Sequence, residues 1–236
     1  MKFLNKYWLI VSIILFFGNC FGQNIYQKEF DQLLLSNYRY SYKKILTMAK
    51  SKNAYDFMAI GYFLDANNIM FKKTKEKKYL GYNMEVIELM LLTDASNTNE
   101  KWLMKVDKSN QNSVINGKES IVSEGYFYRY LGSFLELLMK ERIYIEHHNA
   151  IKNQLKKGFD KWSTRSNNKY KDQSLLYHQR VHIAANWAMV SLHLYKFTQQ
   201  KTYYHFYDNF DRQLRKMIKI KKINNKNCYV WNSTYT

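Results

Sequence analysis

Residues 178–217 read HQRVHIAANWAMVSLHLYKFTQQKTYYHFYDNFDRQLRKM, and the fold is decided there. Ile183, Trp187, Val190, Leu194 and Phe197 recur at three- and four-residue steps, which is the period of one face of an α-helix. A polar turn at Thr198–Thr202 follows, and a second amphipathic pattern then runs to Met217. Two helices joined by a short turn pack antiparallel, so the stretch is a helical hairpin with the Trp187 stripe in its core.

The hairpin recurs. Met70-Phe71, Thr74, Lys77 and Tyr79 match Leu194-Tyr195, Thr198, Lys201 and Tyr203 at one constant offset. Between them, Leu135 and Tyr144 in FLELLMKERIYIEHH form a fainter copy at about the same interval. Helical pattern is expected over Ile25–Lys50 with a break near Ser36-Asn37, then over Ala54–Lys73, Tyr79–Leu92, Glu119–Lys140 and Arg142–Trp162. Asp94–Lys118 and Ser163–Gln173 read as polar loops, and Cys228–Trp231 as a short strand or extended segment. A two-helix unit cannot bury its own inner face, so neighbouring units must stack. The expected fold class is all-α, an array of antiparallel helical hairpins forming a solenoid or a partial ring, in one domain over residues 23–236.

Composition agrees with that class. The chain has 236 residues, 46% of them hydrophobic and 17% aromatic, with no proline to break a helix. Its net charge of +18 comes mostly from lysines spread along every segment. Such a surface attracts polyanions in general. Met1–Gly22 carries Lys2 and Lys6, then the apolar run Leu9–Phe17, then the small residues of Gly18-Asn19-Cys20-Phe21-Gly22. That is the order of a secretory signal peptide, so residues 1–22 are expected to be a leader and the mature protein to be periplasmic or extracellular in a bacterium. Export argues against nucleic acid as the partner. Cys20 also resembles the acylated cysteine of a lipoprotein, with Phe17 and Asn19 departing from the usual pattern around it; a membrane enters only through lipidation there. If Cys20 leaves with the leader, Cys228 has no partner within the chain and packing must hold the fold.

The segments IMFKKTKEKKYLGYNM and LYKFTQQKTYYHFYDNF, each preceded by a helix of small and aromatic residues, resemble the hairpins of the α/α-toroid carbohydrate enzymes. Those include alginate-lyase-like and heparinase-like polysaccharide lyases and the six-hairpin glycosidases. The resemblance covers roughly Ala54–Trp231 and departs from the family pattern at Gln199 and Gln200, where a Gly-Asp pair is usual. At ~60 residues per hairpin the chain holds about three and a half units, and a closed ring of six needs ~360 residues. It implies a protein that contacts carbohydrate, with acidic polysaccharide favoured by the charge, acting by β-elimination or as a non-catalytic binding or scaffold module. No cofactor is implied.

Two clusters carry the candidate chemistry. His178, His182, Asn186, Met189 and His193 share one face of the helix opposite the Trp187 stripe. His178 and His182 have the spacing of a zinc pair, but Gln179 stands where a metalloprotease needs Glu, and no third ligand is identifiable, so no metal is expected. Toroid lyases neutralise a uronate carboxylate with Asn, His or Arg and move the C5 proton with Tyr or His. The resemblance therefore puts Tyr126, Tyr128, His182 and Asn186 in catalytic roles, and Glu124, Arg129, His178, Arg180 and Trp231 in substrate binding. The second cluster, Ser123–Tyr130, opens a helix after a long loop; there Ser123 is the candidate cap and Glu124 favours the positive helix end. His147 and His148 point about 100° apart and read as a solvated face, and Lys216, Lys219, Lys221 and Lys222 read as a turn or helix-end cluster, where cations are ordinary.

Overall fold

A computed structural model describes residues 25–51, 54–95, 120–164, 166–167, 170–174 and 181–231. The chain divides into two compact units, residues 1–46 and 47–236. In the first, helix α1 (residues 25–35) ends where the Ser36 hydroxyl donates to the Leu33 carbonyl at 2.8 Å and accepts from the Tyr38 amide at 3.0 Å. Serine competing for backbone groups in this way is what breaks the helix at the expected place. Helix α2 (Tyr42–Ala49) restarts after Ser41 and runs across the boundary between the units.

The second unit contains α3 (Ala54–Thr74), α4 (Lys78–Ala95), α5 (Ile121–Glu141), α6 (Ile145–Ser163), α7 (Val181–Thr198) and α8 (Lys201–Met217). The protein is mostly helical, as expected. Helices α3–α4, α5–α6 and α7–α8 pair as hairpins, and α5 packs against both α3 and α7. Contact order fixes the directions. Along the α3–α5 seam Phe57 meets Phe127 and Asn68 meets Tyr130; along the α5–α7 seam Gly125 meets Trp187 and Gly132 meets His193. Both series ascend together, so α3, α5 and α7 run parallel. Across α5–α6, Glu124 meets Trp162 while Tyr128 meets Gly158, which is antiparallel.

The two well-matched turns are alike bond for bond. Thr74 Oγ1 donates to the Met70 carbonyl at 2.8 Å and accepts from the Glu76 amide at 3.2 Å; Thr198 Oγ1 does the same with Leu194 and Gln200 at 2.7 and 3.2 Å. The next residues, Lys75 and Gln199, adopt left-handed φ values of 63° and 58°. Each returns its amide to the carbonyl four residues back at 2.8 Å, closing the helix end. Tyr79 and Tyr203, fully or almost fully buried, then start the return helix. The α5–α6 turn lacks the threonine and instead uses left-handed Arg142 and Tyr144, with the Arg142 and Ile143 amides both on the Leu138 carbonyl.

Four sequence expectations are corrected locally. The cap of α5 is Ser120, whose side chain accepts from the Ser123 amide at 3.2 Å; Ser123 lies inside the first turn. The Ser163–Gln173 loop holds a short antiparallel pair, β1 (Ser166–Asn167) with β2 (Tyr170–Ser174). The lysines at 219, 221 and 222 do not end a helix. They belong to β3 (Ile218–Ile223), which pairs with β4 (Lys226–Trp231) around Asn224-Asn225, both left-handed. β-branched residues at 218, 220 and 223 and an Asn-Asn turn favour that hairpin over a further helical turn. Finally, His147 and His148 are held rather than solvated: His147 Nε2 is 3.3 Å from Glu88 of α4, and His148 Nε2 is 2.9 Å from the Ile143 carbonyl.

The core is apolar and aromatic. Trp187, Tyr128, Phe127, Phe134, Phe71 and Tyr79 are among its largest fully buried side chains. Small residues set the helix separations: a Cβ on Gly61 would come within 3.0 Å of the Phe127 backbone, and one on Gly132 would overlap the His193 ring.

Candidate functional site

The solvent-facing side of α3 and α5 carries three tyrosines. Tyr62 is 45% exposed, and Tyr126 and Tyr130 are half-buried. The Tyr62 ring is 5.5 Å from that of Tyr126 and 6.1 Å from that of Tyr130. Tyr126 and Tyr130 are one turn apart on α5, so the cluster spans the seam between two helices. Its polar edge is Asp65, which accepts a hydrogen bond from the Tyr130 phenol. The Arg129 guanidinium is 5.1 Å from the centre of the Tyr130 ring, and its Nη1 donates to Asn186 Oδ1 of α7 at 3.1 Å. Burial raises the Asp65 carboxyl above the ordinary value; Arg129, Lys72 and the Tyr130 hydrogen bond oppose that rise. Burial, then the Asp65 charge, push the Tyr130 phenol upward as well.

Further along the stripe of α5 that carries Arg129, a second polar cluster faces α7. His193 Nδ1 is 2.7 Å from Glu136 Oε1, Lys196 Nζ is 2.9 Å from the same oxygen, and His193 Nε2 is 3.4 Å from Ser133 Oγ. The hydrogen bond from His193, then that from Lys196, hold the Glu136 carboxyl at about 2, against the opposing effect of burial. Glu136 is therefore ionised throughout the ordinary range.

Of the residues singled out from sequence, Tyr126, Arg129 and Asn186 come together at the α3–α5–α7 face, with exposed His182 one turn before Asn186 on α7. Asn186 is only 2% exposed, so it orients Arg129 and offers little surface of its own. Tyr128 has no place at that face. Its ring is fully buried, 5.9 Å from Trp187 and 5.3 Å from Phe127, because two helical residues on from Tyr126 the side chain points to nearly the opposite side. Glu124 is likewise internal and fully buried: its carboxylate accepts from Trp162 Nε1 at 2.7 Å and pairs with Lys161 Nζ at 2.6 Å. A buried acid satisfied by two partners across a hairpin is an element of the packing, not a ligand group.

His178 and Arg180 lie outside the described residues. Trp231 closes β4 opposite Ile218, and its side chain is also outside them. The helical face drawn through His178 and His193 is not one wall: His182 and Met189 are exposed, while Asn186 and His193 are buried against α5.

No family model, curated protein or solved structure matches this chain. Among the described residues, no group of three or more His, Cys, Asp or Glu side chains is placed to hold a metal ion, and no helix is long and apolar enough to cross a membrane.

Tyr62, Asp65, Ser133, Glu136 and Lys196 are not among the residues singled out from sequence. One signal was available: Asp65 in GYFLDANN and Glu136 in FLELLM are single charges inside strongly apolar helical runs. An acid kept in such a run needs a partner on a neighbouring element.

Proposed function

We propose that this protein is an exported bacterial module that binds acidic polysaccharide on the α3–α5–α7 face, with Tyr62, Tyr126 and Tyr130 as the platform for sugar rings and Arg129 as the partner of a uronate carboxylate. The observation that carries this reading is the tyrosine cluster with a guanidinium at its edge. Tyrosine rings supply broad, stiff contact area with a polar tip, and a guanidinium pairs with carboxylates in a planar fork. Arg129 is held by Asn186 and flanked by Asp65, which aims its remaining donors without consuming them. The +18 charge adds attraction for the polymer at a distance. Parallel succession of α3, α5 and α7, each backed by its hairpin partner, supports an arc of an α/α toroid, whose inner helices would present this face. The leader-like residues 1–22 support export, and a membrane would be engaged only through lipidated Cys20.

Binding is favoured over β-elimination. Tyr128 is fully buried, and the Tyr130 phenol donates its hydrogen to Asp65 and is shifted upward by burial, so neither serves the face as a base. The test is migration of the native protein through gels containing alginate or a glycosaminoglycan, beside an absorbance assay for unsaturated uronate. Retardation by the uronate polymers, weaker with a carboxyl-reduced polymer and without product absorbance, is the expected result. Unsaturated product would make it a lyase; no retardation by any of the polymers would overturn the carbohydrate reading.

A further inference from the structure

We propose that Ser133, His193 and Glu136 form a nucleophilic site that cleaves small acyl esters of alcohols; its three groups lie outside the tyrosine platform, but it adjoins that face and shares Arg129 with it. The three groups stand in the order that acyl transfer needs, namely nucleophile, base and a carboxylate that orients the base. The Glu136 carboxylate can only accept, so His193 carries its proton on Nδ1 at 2.7 Å from Oε1. In the neutral ring Nε2 is then the acceptor, and the Ser133 hydroxyl, 3.4 Å away, donates to it. That distance is within the loose range of nucleophile–base pairs without substrate.

Three features of the surroundings fit catalysis better than packing alone. First, a helical serine can turn its hydroxyl back onto the carbonyl a turn earlier, but among the described residues the Ser133 hydroxyl bonds only to His193. Second, His193 is 5% exposed, its ring fills the notch left by Gly132, and the Nδ1 bond to Glu136 orients it toward Ser133. Third, Ser133 and Glu136 are half-buried on the stripe of α5 that also carries Arg129, one turn earlier. Residues one turn apart lie about 5–6 Å apart at their Cβ atoms. A guanidinium with one donor on Asn186 and others uncommitted is the cation available to a developing oxyanion.

In the reaction, Ser133 Oγ attacks the ester carbonyl carbon and its proton passes to His193 Nε2. The tetrahedral oxyanion collapses, the bond to the alcohol oxygen breaks, and the alcohol leaves with the proton from Nε2. Water then attacks the acyl-serine with Nε2 again taking the proton, and the carboxylic acid is released as Ser133 regains its hydrogen.

The test is labelling of the whole protein with a fluorophosphonate probe, read by peptide mass spectrometry, beside hydrolysis of p-nitrophenyl acetate. A single adduct on Ser133 is expected, absent from Ser133→Ala and His193→Gln and formed at least tenfold more slowly in Glu136→Gln, with ester turnover falling in parallel. Ser133→Ala removes one oxygen, so its circular dichroism and melting should match the parent and its loss of labelling reports chemistry. No adduct on Ser133 in the folded parent protein, or equal labelling of Ser133 in folded His193→Gln, would overturn the proposal.

Discussion

On its α3 side, α5 sets Tyr130 and Arg129 against Asp65; on its α7 side it sets Glu136 against His193 and Lys196. Both seams join parallel helices, both approach through a glycine, and each holds one half-buried carboxylate. The carboxylates are nevertheless driven apart, Asp65 upward and Glu136 down to about 2. The difference is one of partners. Arg129, Lys72 and a phenol hydrogen bond act on Asp65 without offsetting its burial, whereas Glu136 receives two nitrogen donors on one oxygen. The α7 seam is thus built to keep its charge fixed, and the α3 seam keeps tyrosine surface and guanidinium donors in reserve for something else.

The strongest way to break the comparison is to wedge each seam open. Gly132→Ala places a methyl inside the His193 ring, and Gly61→Ala meets the Phe127 backbone at 3.0 Å. Each should destabilise by roughly 1–3 kcal/mol in denaturant melts, as overpacked cores do. Gly132→Ala should also release the Glu136–His193 pair and abolish the acid-limb effect described next, and Gly61→Ala should leave that effect intact. Equal behaviour of the two variants on the acid limb would dissolve the distinction between the seams.

The pH dependences should have opposite signs. Glu136 is more acidic folded than unfolded, so the stability it contributes is present above about pH 4.5 and is lost as pH falls toward 2. Glu136→Gln should flatten the melting curve over that window, and an unchanged acid limb would contradict the pairing. The Asp65 carboxyl is raised, so its contribution is present below its unfolded value and is lost as pH rises through its folded value. Asp65→Asn should lose that fall and leave stability near neutral pH within about 0.5 kcal/mol of the parent. A larger loss would mean that Asp65 holds the seam together.

How much of this was legible in the sequence follows from what a single helix can tell. The Ile183–Trp187–Val190–Leu194 stripe and the repeated Thr74 and Thr198 turns were readable because their causes are local: helical period, a threonine that caps, a residue able to turn left-handed. The polar face through His193 was misjudged because periodicity says which residues share a side and not what lies opposite. Asn186 and His193 are covered by Arg129 and Glu136, 57 positions away in each case. Tyr126 and Tyr128 share a sequence motif, but their angular separation on a helix sends one outward and the other into the core. Glu124 looked like a free acid at a helix start because Lys161 and Trp162, which satisfy it, come from the returning helix. Ile218–Ile223 was hidden because its lysines resemble a helix end.

The central claim, that the α3 side of α5 is the ligand face, is tested most directly by calorimetric titration of a defined uronate oligosaccharide into the parent protein, Tyr62→Ala, Tyr126→Ala and Arg129→Gln at physiological salt. Each variant should bind at least roughly tenfold more weakly, about 1.4 kcal/mol, while Lys196→Gln, which touches only the α7 seam, should bind like the parent. Unchanged affinity in all three variants, or a comparable loss in Lys196→Gln, would contradict the account and leave the binding to diffuse surface charge.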